Sequence, residues 1–269
     1  MDSDILVRNN VQSLGEGKQV ILFAHGFGCD QNMWRYVTPA FKDKYRIVLF
    51  DYVGCGKSDV KAYNVERYAT LHGYMQDVLD ICEALNLADI IFVGHSVSSM
   101  IGLLAAIERP ELFSSMIFIG PSPRYLDDMG YKGGFSREDL EGLLEVMDNN
   151  FIGWANFLAP VIMKNEERPE LSKELEESFC STDPINTRKF AEVTFFSDNR
   201  HDLSKLTMPC LILQCTDDAI APDEVGDYTH KMIKGSTFEK MKATGHCPHM
   251  SHPDETIALI QKFLNQKVY

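Results

Sequence analysis

Residues 94–98 read Gly94-His95-Ser96-Val97-Ser98, set between the apolar run Ile90-Ile91-Phe92-Val93 and the helix-like stretch Met100-Ile101-Gly102-Leu103-Leu104-Ala105-Ala106-Ile107. A serine flanked this way sits on a sharp strand-to-helix turn that pushes its hydroxyl out of the sheet and into a cleft, where it can attack a carbonyl. Small neighbours let helix and strand approach closely. The third small position is Ser98 where this pattern usually has glycine, and the turn is expected to survive with a slightly different fit. Five residues with three small ones also arise by chance, so the surrounding sequence decides the reading.

Short β-rich runs alternate with helical patterns. The runs are Val20–Ala24, Ile47–Phe50, Ile90–Val93, Met116–Ile119 and Cys210–Gln214, with Thr237–Met241 after them. Four or five consecutive apolar residues are what a parallel strand buried on both faces requires. Amphipathic stretches over Asp30–Phe41, Tyr68–Leu85, Val97–Arg109 and Asp254–Gln266 predict covering helices, the last started by Pro253. From 127 to 200 the β runs vanish, Ser136-x-x-Asp139 resembles a capping box, and Asp183-Pro184 reads as an N-cap with proline at the first helical position. The expected architecture is an α/β fold, a doubly wound and mostly parallel sheet, with its core in 1–126 and 201–269 and a helical lid in 127–200.

A chain of 269 residues suits one large domain with an insertion. Its formal charge of −13 repels phosphate backbones and anionic lipid surfaces, so neither nucleic acid nor membrane is expected as a partner. The 127–200 segment carries eight basic and sixteen acidic residues, an excess that reads first as a solvated outer face and second as a docking surface for a basic partner. Seven scattered cysteines without C-x-x-C pairing suit a reducing compartment, and the acidic start Met1-Asp2-Ser3-Asp4 offers neither a secretory signal nor a membrane span. A cytoplasmic protein is expected.

A serine hydroxyl is a poor nucleophile at neutral pH and needs a base, which in turn needs an orienting group. Asp217 and Asp218 follow the run ending at Cys215, and Asp218 is preferred because it stands four residues before Pro222. The base is read as His246, at a Gly-His step after the last predicted strand. His249 and His252 repeat its spacing of three, but Pro248 and Pro253 break the helix that would align three rings, so no metal and no cofactor is expected. The backbone N–H groups of Val97 and of Phe27, in His25-Gly26-Phe27-Gly28, are the expected oxyanion donors, each such donor being worth ~3 kcal/mol. Asp51-Tyr52-Val53-Gly54-Cys55-Gly56-Lys57-Ser58 does not satisfy the phosphate-loop pattern and reads as scaffold. Tyr125, Phe135, Leu143, Trp154, Phe157, Phe195 and Phe196 predict a greasy pocket over Ser96.

These segments, together with Ser122-Pro123-Arg124-Tyr125, Gly133-Gly134-Phe135, Phe179-Cys180-Ser181-Thr182-Asp183-Pro184, Phe196-Ser197-Asp198 and Gly245-His246-Cys247-Pro248-His249-Met250-Ser251-His252, run along almost the whole chain. They resemble the RsbQ-like α/β-hydrolases, the bacterial stress-response regulators and their relatives the plant karrikin and strigolactone receptors. The stretch 97–102 is nearer to the plant receptors and the carboxyl-terminal stretch nearer to the bacterial regulators. The resemblance implies a triad of Ser96, Asp218 and His246, oxyanion amides at Phe27 and Val97, and a pocket wall of Phe135, Trp154, Phe157 and Phe195. It also implies a signalling protein that binds and slowly hydrolyses a small hydrophobic ester or lactone, with a sensor-containing serine phosphatase as partner in the bacterial case. Two other readings remain open at this level: a metabolic carboxylesterase with the same residues, and a binding module that keeps the triad without needing it.

Overall fold

Apolar runs without alternation need cover on both faces, and the fold supplies it. A computed structural model describes residues 2–266; Met1, the first residue of the acidic start, lies outside the described residues. Seven strands form one sheet in the order β1-β3-β2-β4-β5-β6-β7. They are β1 (Gln12–Leu14), β2 (Val20–Ala24), β3 (Arg46–Leu49), β4 (Ile90–His95), β5 (Phe113–Ile119), β6 (Cys210–Thr216) and β7 (Thr237–Thr244). Every neighbouring pair is parallel except β1 with β3. The strand period of two sorts alternate residues onto opposite faces. Ile21, Phe23, Ile91, Val93, Ile117 and Ile119 fall in one apolar core, while Val20, Leu22, Ile90, Phe92, Met116 and Phe118 fall in the other.

Ten α-helices are described: α1 (Asp2–Arg8), α2 (Leu71–Ala84), α3 (Val97–Glu108), α4 (Arg137–Asn149), α5 (Phe151–Met163), α6 (Pro169–Cys180), α7 (Pro184–Phe195), α8 (Asp223–Met232), α9 (Pro248–Ser251) and α10 (Pro253–Asn265). Helices α2 and α3 pack on the second core, and α9, α10 and the segment between β5 and β6 pack on the first. None of the described helices is long and apolar enough to cross a membrane.

Between β5 and β6 the chain forms helices α4 to α7 and no strand of the sheet. Both predicted helix starts are present: Ser136 and Asp139 exchange a reciprocal capping box, and the Asp183 carboxylate accepts from the N–H groups of Ile185 and Asn186 with Pro184 at the first position. The two connections to the core meet at one neck, where Asn199 N–H donates to Pro123 O at 2.8 Å and Arg124 Nη1 donates to Asp198 Oδ2 at 2.6 Å. Acidic residues of this segment such as Glu138, Glu141, Glu145, Glu166 and Glu170 lie exposed.

One expected element requires correction and one is new. The helix expected over Asp30–Phe41 is two short 3-10 turns, Gln31–Trp34 and Thr38–Ala40. Pro39 cannot donate a helical hydrogen bond and disfavours the α conformation at the residue before it. Strand β1 is an addition to the expected runs, since its three residues are all exposed and carry no apolar pattern. The segment after Asp51 is scaffold, as read: the Asp51 carboxylate accepts from Gln31 N at 2.8 Å, Lys57 N at 2.9 Å and Asn10 Nδ2 at 2.7 Å.

Candidate active site

The turn after β4 places Ser96 at φ 56° and ψ −124°, a left-handed conformation that a serine adopts only when its surroundings impose it. Here Ser96 N–H donates to Ile119 O at 2.8 Å, and Ser96 O accepts from Ser99 N at 2.9 Å. Close approach of α3 to β4 permits no side chain at two positions. A Cβ on Gly94 would lie 2.7 Å from Ser98 O, and one on Gly102 would lie 2.1 Å from Cε1 of the fully buried Phe92 ring. Ser98 does more than fit: its hydroxyl donates to His25 O and pairs with the Tyr52 hydroxyl at 2.9 Å. His25 in turn accepts from Tyr52 N–H through Nε2 at 3.1 Å, so its Nδ1–H donates to Gly26 O at 2.8 Å. Burial holds this ring neutral by lowering its pKa against the pull of Asp51. The chain after β2, which carries Phe27, is thereby tied to the serine turn.

Ser96, His246 and Asp218 come from three distant loops and meet. His246 Nε2 is 2.7 Å from Ser96 Oγ, and its Nδ1 is 2.7 Å from Asp218 Oδ2. The other carboxylate oxygen of Asp218 accepts from Ile220 N at 2.9 Å and Ala221 N at 3.0 Å, which fixes its orientation. All three residues are buried. Asp217 points away, with a left-handed backbone and an exposed carboxylate 3.3 Å from Lys164 Nζ. The imidazole loop is anchored on both sides: His246 N–H donates to Ile162 O in the last turn of α5 at 2.8 Å, and His246 O accepts from His95 Nε2 at 2.8 Å. The amides of Phe27 and Val97 have no hydrogen-bond acceptor among the described residues.

A cavity of about 30 Å³ adjoins Ser96. Phe27, Tyr125, Ile162, Phe179, Phe195 and Ile220 supply most of its apolar wall. Of the residues expected there, Tyr125 and Phe195 line it. Trp154 is fully buried behind the wall, its ring 6.1 Å from Phe27 and 5.0 Å from Phe179. Phe135 backs Phe195 at 6.5 Å, and Leu143 is a half-buried neighbour of the same core. Phe157 is corrected: at 63% exposure it stands on the outer face of α5, because Trp154, Leu158 and Ile162 occupy the inner face. The wall also holds Ile162, Leu175, Phe179, Thr194 and Ile220, which sequence reasoning missed. Phe179 alone is signalled, by the motif it opens; the others are ordinary residues until the helices bring them together.

Two hydroxyls interrupt the apolar wall. The Tyr125 hydroxyl faces Ser96 without a well-formed hydrogen bond, and burial pushes its pKa up to about 12, so it remains a donor. Thr194 Oγ1 has no hydrogen-bond partner among the described residues. Behind the site, His95, Cys247 and His249 bring ligand atoms within 4.8 Å of one another, all buried. This is a different set from His246, His249 and His252. Burial lowers both ring pKa values, that of His249 to about 3, and raises the Cys247 thiol. His95 Nε2 is held by His246 O at 2.8 Å, while His95 Nδ1 and both ring nitrogens of His249 have no hydrogen-bond partner among the described residues.

The model of the alpha/beta hydrolase family matches residues 21–259. This chain belongs to the α/β-hydrolase family. A hydrolase from Oleispira antarctica superposes with a TM-score of 0.96 at 43% identity, covering 98% of this chain and 97% of that one. Karrikin insensitive 2 receptor CA of Petunia hybrida is 38% identical over 97% of each chain. Strigolactone esterase D14 of Arabidopsis thaliana is 35% identical over 97% of this chain and 98% of its own. As an α/β-hydrolase the chain thus has homologues among plant receptors and esterases, and its mostly parallel seven-stranded sheet is the sheet of that fold.

Proposed function

We propose that this α/β-hydrolase is a serine hydrolase for a small, largely apolar ester or lactone, and that cleavage is coupled to ligand sensing. One observation carries the reading: the continuous relay Ser96 Oγ, His246 Nε2, His246 Nδ1, Asp218 Oδ2, with both links at 2.7 Å and the whole relay out of water. In this mechanism His246 takes the Ser96 proton as Oγ bonds to the substrate carbonyl carbon, and Asp218 holds the imidazole in the tautomer that leaves Nε2 free to accept. The oxyanion is received by the amides of Phe27 and Val97. His246 then returns the proton to the leaving alkoxide, and a water molecule, deprotonated by the same ring, cleaves the acyl-serine ester.

The space over Ser96 is narrow, and residues of α5, α6 and α7 form much of its wall. A ligand that repositions this α5–α7 wall gives a receptor its signal. The output is contact with a protein partner, and the sensor-containing serine phosphatase implied by the sequence resemblance is the first to test. Support for the receptor reading comes from the receptor and esterase relatives aligned over nearly the whole chain. The seven cysteines form no disulfide among the described residues and six of them are buried, a usage that supports a reducing compartment such as the cytoplasm.

The test is ester cleavage by wild type and Ser96→Ala, with intact-mass analysis after exposure to a lactone library. The expected results are a loss of ~10⁴-fold or more in rate and an adduct on wild type that the variant lacks. Equal rates would overturn the nucleophile assignment. Fast turnover of simple esters with no ligand-dependent partner would instead make the protein a metabolic esterase.

A further inference from the structure

A buried helical threonine can satisfy its hydroxyl at the carbonyl one turn back or at a neighbouring side chain, as Thr187 of α7 does at Thr182 Oγ1 at 2.6 Å. Thr229 donates to Val225 O at 2.8 Å, and Thr256 to His252 O at 3.1 Å. Thr194, in the last turn of α7, does neither. The residue is 1% exposed, its Oγ1 has no partner among the described residues, and it lines the cavity over Ser96 among Phe27, Ile162, Phe179 and Phe195. A hydroxyl that forgoes its own helix carbonyl and stands alone in an apolar wall carries a desolvation penalty that a ligand oxygen relieves.

We infer that Thr194 is a specificity-determining residue, and that the substrate class is esters or lactones carrying a second oxygen, a ketone, ether or hydroxyl, which accepts a hydrogen bond from Thr194 Oγ1. This deepens the proposed hydrolase reading and rests on it. The two polar wall groups then divide the work, with Tyr125 at the reacting end near Ser96 and Thr194 at a separate point of recognition. A site built around a hydrogen-bonding group discriminates against analogues lacking it far more strongly than an apolar pocket discriminates by size.

The test uses matched p-nitrophenyl esters: 4-oxopentanoate against pentanoate, and 5-oxohexanoate against hexanoate. They are assayed with wild type, Thr194→Val, which keeps shape and removes the hydroxyl, and Thr194→Ser, which restores it. In at least one pair, wild type is expected to favour the keto ester in kcat/KM, Thr194→Val to lose at least tenfold of that preference through KM, and Thr194→Ser to recover it. Preferences unchanged in both pairs by Thr194→Val would overturn the inference and leave Thr194 serving only a bound water. Failure of wild type to cleave any of the four esters, with no Ser96 adduct, would instead strike the hydrolase reading itself.

Discussion

Replacing Gly102 by alanine sets two local rules against each other. Helix propensity alone favours alanine over glycine by ~1 kcal/mol. At Gly102 the new Cβ would lie 2.1 Å from Phe92 Cε1, 2.6 Å from Cδ1 and 2.7 Å from Cζ, about 1.3 Å short of the 3.4 Å where ordinary contact begins. The Phe92 ring is fully buried in β4 and cannot swing aside, so α3 must lift from the sheet. Overpacking of this kind costs ~1–3 kcal/mol, which leaves a net loss of up to ~2 kcal/mol after the propensity gain of ~1 kcal/mol is subtracted. Helix α3 begins at Val97, directly after Ser96, and a displacement near 1 Å at reacting groups costs about 100-fold in rate. Gly142 supplies the internal control. It lies within α4, and a Cβ there would meet nothing within 4 Å, so the same substitution is expected to stabilise by up to ~1 kcal/mol and leave kcat unchanged. Urea unfolding and p-nitrophenyl acetate hydrolysis measure both quantities. Gly102→Ala at least as stable as wild type, with kcat intact, would refute the close-packing account of the serine turn.

Asp218→Asn keeps the acceptor that Ile220 and Ala221 use but presents an N–H₂ to His246 Nδ1, forcing the tautomer that faces Ser96 with a proton; kcat for ester cleavage is expected to fall by ~10⁴ with little change in urea midpoint. Phe157→Ser is expected to leave stability within ~0.5 kcal/mol and ester KM unchanged because the ring is exposed, whereas Trp154→Ala, which empties a fully buried site, is expected to cost ~3–5 kcal/mol in the same unfolding assay. At the neck, burial alone would raise the Asp198 pKa, but hydrogen bonds from Arg200 and Arg124 outweigh it and hold it at about 2. A depressed carboxylate stabilises the fold above its unfolded pKa of about 3.9 and loses that contribution as pH falls through its folded value. The stability deficit of Asp198→Asn relative to wild type is therefore expected to be full at pH 7 and to shrink between pH 4 and pH 2, as read by denaturant midpoints.

What was legible in the sequence is what local chemistry dictates. Ile90–Val93 needs burial on both faces, Gly94 and the small residues after Ser96 need a tight turn, and Ser136 and Asp183 need helices to cap. The positions of Ser96, Asp218 and His246 follow because each lies just after the carboxyl end of a strand, and such ends share one rim of the sheet. What stayed hidden depends on packing between distant elements. Phe157 and Trp154 differ by three positions on one helix and are equally apolar in sequence, yet one faces solvent and the other the core. Residues 30–41 carry a helical pattern of apolar residues, but Pro39 and the hydrogen bond from Gln31 N–H to Asp51 impose short turns instead. The unpaired hydroxyl of Thr194 is invisible without knowing which neighbours fail to reach it.

The amide of His246 hangs from Ile162 O, at the end of the same helix whose inner face walls the cavity. Two further bonds tighten that joint, from Asn165 Nδ2 to Met163 O at 2.8 Å and to Thr244 O at 3.1 Å. Wall and base are thus joined through the backbone, so a substitution that shifts the end of α5 is felt at the imidazole without touching the triad itself.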